Sequence, residues 1–311
     1  MSAPSADLIP RLEVGDPAWL ATMSASKVAS VVGLSPYQSR YSLYWQMAGR
    51  VADEPNVEMT RGVFLEDGIV DWFAHHHPDL LVERTGTWRH RERPWQTATP
   101  DRLLWDADGN AMLLEAKTSS EWEPWGPDGS EEIPIWYRCQ VQWQLDTLGL
   151  DACYVVVLMP YLSFRTYRIG YDPEDAAVLR DAAAEFLADL DAGRVPNLDD
   201  HDETYRVVRA LHPDIDDEDI EIPASLAAEY RAGMAAWRAG NAAKASACSA
   251  MLAAMGSARY AVADGERVAV RVPSPKKGHP PYVKPSSGAA PPSPPSVREA
   301  LAALADSAGP A

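Results

Sequence analysis

The sequence predicts a mixed α/β core, one sheet flanked by helices, with a helical appendage after it. Three patterns predict this. Apolar residues recur every three or four positions over residues 61–75, apolar and polar residues alternate through much of 80–119, and residues 152–159 form an unbroken apolar run rich in β-branched side chains.

In chain order, residues 1–20 carry no period and read as loose. Ser24 is a helix cap before residues 25–32, which Gly33 and Pro36 stop, and a second helix over 41–48 ends at Gly49. In the helix over 61–75, Leu65, Glu66, Ile69, Val70 and Phe73 share one face, so Glu66 lies on the apolar stripe. Asp108-Gly109 is a tight-turn signal that makes a hairpin of residues 103–105 and 111–118. Pro134 opens a helix that runs through Leu148 and stops at Gly149; residues 152–159 are a central strand, 162–169 another, and 172–190 a helix.

After Gly193 the chain turns acidic and then Ala-rich over 224–258, where Leu226, Tyr230, Met234 and Trp237 keep helical register. Residues 260–272 form a small hairpin around Asp264-Gly265. The expected division is a core over 1–198, a helical appendage with its hairpin over 199–272, and a Pro/Ser-rich disordered tail over 273–311, in which a helix at 297–304 forms only on a partner.

A formal charge of -17 excludes a protein that coats nucleic acid with a basic surface, so any phosphate contact has to be local. Arg84, Arg89, Arg91, Arg93 and Arg102 mark one place for it, the alternative being a solvated charged loop. Cys139, Cys153 and Cys248 are too scattered for a zinc or iron–sulfur site and read as buried apolar residues. With no secretory start and no apolar run of membrane length, a soluble cytoplasmic protein without membrane contact is expected. His75, His76 and His77 point in different directions at a helix end, which suits surface or capping roles.

The chemistry concentrates in Thr99-Pro100-Asp101, followed after thirteen residues by Glu115-Ala116-Lys117. On a strand Glu115 and Lys117 share a face, and the hairpin folds Asp101 back beside them. Two carboxylates beside an ammonium offer hard oxygen ligands for Mg²⁺, with Mn²⁺ as a substitute, and the backbone carbonyl of Ala116 would add to the shell. Lys117 would orient water or stabilise charge on a phosphate. Glu66 on its apolar stripe needs a partner, either a metal or an arginine such as Arg61 or Arg102. Gln140 and Gln144 stand on the stripe of the helix over 134–148, where an amide needs a partner. Gln140 would find it at a metal-bound water or phosphate, whereas for Gln144 a backbone bond competes equally. The pattern as a whole is that of a PD-(D/E)XK restriction-endonuclease-like core.

These residues resemble the YqaJ-like viral recombinase nucleases, relatives of the phage lambda exonuclease. The motifs that carry the resemblance are Met23-Ser24-Ala25-Ser26-Lys27 with Gly33-Leu34-Ser35-Pro36-Tyr37, Gly62 to Glu66, Thr99-Pro100-Asp101, Glu115-Ala116-Lys117 and Gln140-Val141-Gln142. The resemblance spans about residues 18–192. It implies a double-strand DNA exonuclease working 5′ to 3′ from DNA ends, making 3′ overhangs for a single-strand annealing partner. By matching position, Glu66, Asp101 and Glu115 would hold Mg²⁺, Lys117 and Gln140 would act on the water, and Ser26 and Thr99 would bind the terminal 5′ phosphate. It also implies a ring-shaped homo-oligomer, such as a trimer. One departure is the lack of an arginine shortly before the Ser-Ala-Ser motif, where Lys27 or Arg40 would have to substitute. Two other readings share the residues: an endonuclease or RecB/Cas4-like nuclease of the same fold, and a catalytically idle DNA-binding scaffold.

Overall fold

The computed structural model describes residues 3–13, 15–52, 57–274, 276–286 and 293–307. The chain forms two compact units, Met1–Pro213 with Pro292–Ala311, and Asp214–Pro291.

The first unit begins with β1 (Asp7–Ile9), α1 (Pro17–Leu20), β2 (Met23–Ser24), α2 (Val28–Val31), α3 (Arg40–Met47) and α4 (Val57–His76). Strands β3 (Leu81–Arg84), β4 (Thr87–Arg89), β5 (Gln96–Ala98), β6 (Arg102–Trp105) and β7 (Ala111–Thr118) follow. Helix α5 (Ile135–Leu148), β8 (Ala152–Met159), β9 (Ser163–Gly170), α6 (Pro173–Asp191) and α7 (Asp202–Leu211) complete its continuous part.

The strands make two sheets rather than the single one expected. The larger has the order β3-β6-β7-β8-β9, with β7 at its centre, parallel to β8 and antiparallel to β6. The smaller, β1-β4-β5-β2, takes up two segments that the sequence left out of it. Residues 7–9 pair with β4 instead of lying loose. Ser24 pairs in parallel with β5 instead of capping a helix, so α2 starts at Val28, three residues later than expected, with Lys27 at its N-cap position. Both misses have one cause: two- and three-residue strands carry too few side chains to show a period.

The other elements follow their local chemistry. Asp106 Oδ1 accepts from the N–H groups of Asp108 and Asn110, and Gly109 takes φ 77°, which closes the β6–β7 hairpin. Gly149 at φ 67° ends α5 in the left-handed conformation. Asp172 caps α6 through the N–H groups of Glu174 and Asp175.

The two faces of β7 pack differently, and this positions the site. Leu114 joins Ile69, Val70 and Phe73 of α4, whereas Leu113 joins Val141, Trp143 and Leu145 of α5. Each fully buried aliphatic or aromatic chain here contributes about 1.5–3 kcal/mol. Helix α4 thus covers one face and α5 the other.

The second unit holds α8 (Ala224–Met255), β10 (Tyr260–Ala263), β11 (Glu266–Val272) and β12 (Tyr282–Pro285), the strands forming one antiparallel sheet. Asp264 (φ 51°) and Gly265 (φ 85°) make the expected turn between β10 and β11. Strand β12 and the final helix α9 (Val297–Ser307) both fall where a disordered tail was expected.

Helix α9 packs in the first unit against α5 and α6, with Val297 fully buried. Asp175 accepts from the N–H groups of Val297 (2.7 Å) and Arg298 (3.3 Å), and Ser293 Oγ donates to the Pro124 carbonyl. The partner that this helix needs is its own chain. Pro/Ser content concealed it, because docking by one cap and a few apolar contacts leaves no mark on composition.

Candidate active site

Ladder pairing between β6 and β7 ends at Arg102–Leu114. One residue further, the Asp101 carboxylate accepts from the N–H of Ala116 at 2.7 Å, replacing a ladder bond with a side chain. In an extended strand the N–H and C=O of one residue point to the same edge. The Ala116 carbonyl is therefore turned to this opened edge.

On the α5 face Glu115 is buried, 3% exposed, and both its oxygens are held. Lys117 Nζ and Gln140 Nε2 each donate to Oε1 at 2.5 Å, and Gln144 Nε2 donates to Oε2 at 2.9 Å. Gln140 and Gln144 stand four residues apart on α5, one turn of helix, so a single face supplies both amides. The Gln144 Oε1 atom is buried without a partner among the described residues. Gln144 was left open by the sequence; the signal was an amide on an apolar stripe, one turn from another amide.

The electrostatics record crowding of negative charge. Burial, the neighbouring Glu115 and Glu66 push the Asp101 carboxyl up to about 8, against the opposing pull of Lys117 and the Ala116 N–H. Burial works against the charge on Lys117, but Glu115 and Asp101 outweigh it and hold the ammonium above the ordinary lysine range. A divalent cation beside Asp101 would relieve what now raises its pKa. The donors suit a hard cation: two carboxylates and a carbonyl, all oxygen.

Glu66 lies on the other side of β7. Arg102, 5% exposed, donates Nη1 to Glu66 at 2.7 Å and to the Asp101 carbonyl at 2.5 Å, and Nη2 to Asp67 at 2.5 Å. Among the described residues no three of His, Cys, Asp and Glu converge as a cation cluster. The structure thus gathers Asp101, Glu115, Ala116, Lys117 and Gln140, while Glu66 is close enough to affect Asp101 but bound to an arginine.

The residues expected to bind a terminal phosphate are apart from this centre in their bonding. Ser26 is exposed and shares a hydrogen bond with Ser24 at 3.1 Å; Thr99 Oγ1 pairs with Thr87 Oγ1 at 2.8 Å. Lys27 and Arg40 are both committed elsewhere. The Lys27 ammonium is buried, donates to the Trp19 and Thr22 carbonyls and lies 3.7 Å from the Trp19 ring centroid, with burial lowering its pKa to about 7. Arg40 donates to the Val31 carbonyl and faces Glu185 and Asp189.

The arginine stretch is similarly occupied. Arg84 pairs with Asp67, Arg91 with Asp7, Arg93 with Asp146, and Arg102 as described. Arg93 and Arg102 brace the fold, while Arg84 and Arg91 make exposed pairs at its surface. His76 and His77 lie against Trp72 and Phe73, and all three cysteines are free thiols. Among the described residues no helix is long and apolar enough to cross a membrane.

A mixed sheet whose central hairpin brings Pro-Asp and Glu-x-Lys to one opened edge, with a helix on either face, is the PD-(D/E)XK class of α/β fold. Residues 17–151 match the family model of the YqaJ-like viral recombinase domain. No curated protein matches the chain. Among solved structures, it is similar to the alkaline exonuclease LHK-Exo of Laribacter hongkongensis, at 24% identity over 59% of this chain and 94% of that one, with a TM-score of 0.46. It also resembles a phage related exonuclease of Haemophilus somnus (13% identity, 60% and 95% covered, TM-score 0.37). A putative exonuclease of Eubacterium rectale is similar at 12% identity, with 70% and 97% covered and a TM-score of 0.39.

Proposed function

We propose that this protein is a Mg²⁺-dependent double-strand DNA exonuclease, acting 5′ to 3′ and leaving 3′ overhangs for a single-strand annealing protein. The observation that carries the reading is the meeting of Asp101, Glu115 and Lys117 where the β6–β7 ladder ends.

In this reading Asp101, Glu115 and the Ala116 carbonyl would hold the cation, Mg²⁺ or Mn²⁺ in its place, and Glu66, now paired with Arg102, would be a further ligand. What Mg²⁺ supplies when bound is a lowered pKa for its water and neutralisation of charge on the phosphate. Lys117, kept protonated by its two carboxylate neighbours, presents a fixed positive charge to the scissile phosphate and orients the attacking water. Gln140 holds Glu115 in place and acts with Lys117 on that water. Gln144 fixes the second oxygen of Glu115, so the carboxylate cannot rotate away.

Polarity, the annealing partner and a ring-shaped homo-oligomer, such as a trimer, follow from the family resemblance, as do the terminal-phosphate roles of Ser26 and Thr99. The test is a pair of duplexes, one linear and one circular, incubated with the purified protein and Mg²⁺. Degradation of the linear duplex alone, stopped by EDTA, is the expected result. Cutting of the circle makes the protein an endonuclease, and loss of neither leaves only a binding role.

A further inference from the structure

The second unit carries a patch opposite in sign to the rest of the chain. Residues 256–286 hold six cations, Arg259, Arg267, Arg271, Lys276, Lys277 and Lys284, against two acids, Asp264 and Glu266, in a protein whose total charge is -17. Both acids stand at the β10–β11 turn. The acidic run from Asp214 to Glu221 precedes α8, a helix about 48 Å long, whereas the sheet follows it. Arg271 donates to the carbonyl of Gly256, at the end of α8. The other five cations are exposed and form no ion pair among the described residues, unlike Arg84, Arg91, Arg93 and Arg102 of the first unit.

Strand register gathers tyrosines and cations on one face. Tyr260 stands opposite Val270 and Val270 opposite Lys284, while Tyr282 stands opposite Val272. Opposite and alternate residues share a face, so Tyr260, Lys284 and Tyr282 lie together. The other face holds Ala269, which is buried, and is the one that α8 covers, since β10 and β12 both pack on that helix. Ala261 faces Ala269 and Val262 faces Arg267, which leaves Val268 without an opposite residue. Such a bulge re-aims a side chain: the Arg267 guanidinium lies 4.0 Å from the Tyr260 ring centroid, and that of Arg259 lies 5.3 Å from it. Tyr260 is 36% exposed and Tyr282 44%. A solvent-facing sheet that sets aromatic rings among unpaired cations is how small β domains hold single-stranded nucleic acid, bases on rings and phosphates on cations.

We infer that the outer face of the β10–β12 sheet binds single-stranded DNA, with Tyr260 and Tyr282 as platforms for the bases and Arg259, Arg267 and Lys284 as partners for the phosphates. It is a second site, made wholly by the unit over Asp214–Pro291, whereas the proposed metal centre is made by the first unit. The choice of DNA over RNA rests on the nuclease reading; the chemistry of the face does not. A duplex suits the face less well, because its bases are already stacked on one another and offer nothing to the tyrosines. An acidic protein segment would engage the cations and leave the rings idle.

The test measures fluorescence anisotropy of a labelled oligo-dT, of an oligomer of the same length whose sugars carry no bases, of oligo-U and of a polyglutamate peptide, with the full chain in EDTA. Tyr260→Ala and Tyr282→Ala weaken oligo-dT binding about tenfold each and leave the baseless oligomer unchanged, while Tyr260→Phe keeps the wild-type affinity. Arg267→Gln and Lys284→Gln weaken both oligomers and lower the slope of log affinity against log salt by about 0.7 each. Lys284 is exposed, so its variant reads the site even if Tyr260→Ala does not fold. Unchanged oligo-dT binding by Tyr260→Ala and Lys284→Gln overturns the inference, as does an equal loss by Tyr260→Ala on both oligomers. Tighter binding of oligo-U than of oligo-dT makes RNA the ligand, and variants that lose only the peptide make it an acidic protein; either result overturns the assignment to DNA. The expected losses in a protein that degrades no duplex in Mg²⁺ overturn the nuclease reading instead and leave the sheet site standing.

Discussion

Two glutamates flank the same strand, and their surroundings differ in kind. Glu66, on the α4 side, meets the guanidinium of Arg102, a full positive charge that also binds Asp67. Glu115, on the α5 side, meets two neutral amides and shares a single ammonium with the nearby Asp101. The first arrangement neutralises a carboxylate and fastens α4 to β6. The second orients a carboxylate while leaving negative charge uncompensated, and uncompensated charge is what a cation site requires. Glu66 is matched by a guanidinium of its own, whereas Glu115 and Asp101 have one ammonium between them.

The largest effects should come from the α5 side. Replacing Asp101 by Asn, Glu115 by Gln or Lys117 by Met is expected to lower the rate of duplex degradation by about a hundredfold or more, with the circular dichroism spectrum unchanged. Truncating the amides comes next: Gln140→Leu and Gln144→Leu should each lower the rate by about 10–100-fold, seen in kcat more than in KM because they orient a group rather than bind DNA. A Gln144→Leu enzyme as active as wild type would show that its bond to Glu115 is only packing.

On the α4 side the prediction reverses from rate to stability. Removing the Arg102 guanidinium by Arg102→Met leaves Glu66 without its cation and Asp67 with Arg84 alone, and should cost about 2 kcal/mol in chemical denaturation. Replacing Glu66 by Gln should slow cleavage about tenfold, less than Asp101→Asn does, because its carboxylate must first leave Arg102. Arg84, exposed and paired with exposed Asp67, should be replaceable by Ala without change in stability or cleavage.

A pH series sharpens the same contrast. The Asp101 carboxyl titrates near 8 in the folded chain and near 3.8 in the unfolded one. Between those values the folded state holds the extra proton, so without a cation stability falls as pH rises across that window. Asp101→Asn should flatten this slope. Added Mg²⁺ should raise the melting temperature more at pH 8 than at pH 5, because binding releases the proton; an equal rise at both would count against Asp101 as a ligand.

How much of this was legible in the sequence depends on how local each signal was. The β6–β7 hairpin, α5 and the Asp101–Glu115–Lys117 grouping were readable because turn residues and period-two spacing fix them within about twenty positions. The pairing of Glu66 with Arg102 was one of two open alternatives, since nothing in the spacing chooses between an ion and a guanidinium thirty-six residues away. The commitments of Lys27 and Arg40 to backbone carbonyls were invisible, for carbonyls carry no sequence mark. The docking of α9 was hidden likewise, because its cap, Asp175, lies 122 residues away.

The most direct test is a Mn²⁺ titration followed by electron paramagnetic resonance, in which free ion gives the signal and bound ion does not. The wild type should remove Mn²⁺ from solution, Asp101→Asn and Glu115→Gln should lose most of that capacity, and Arg84→Ala should keep all of it. If the Asp101→Asn and Glu115→Gln proteins bind Mn²⁺ as the wild type does, the carboxylates at the opened edge of β7 are not a cation site.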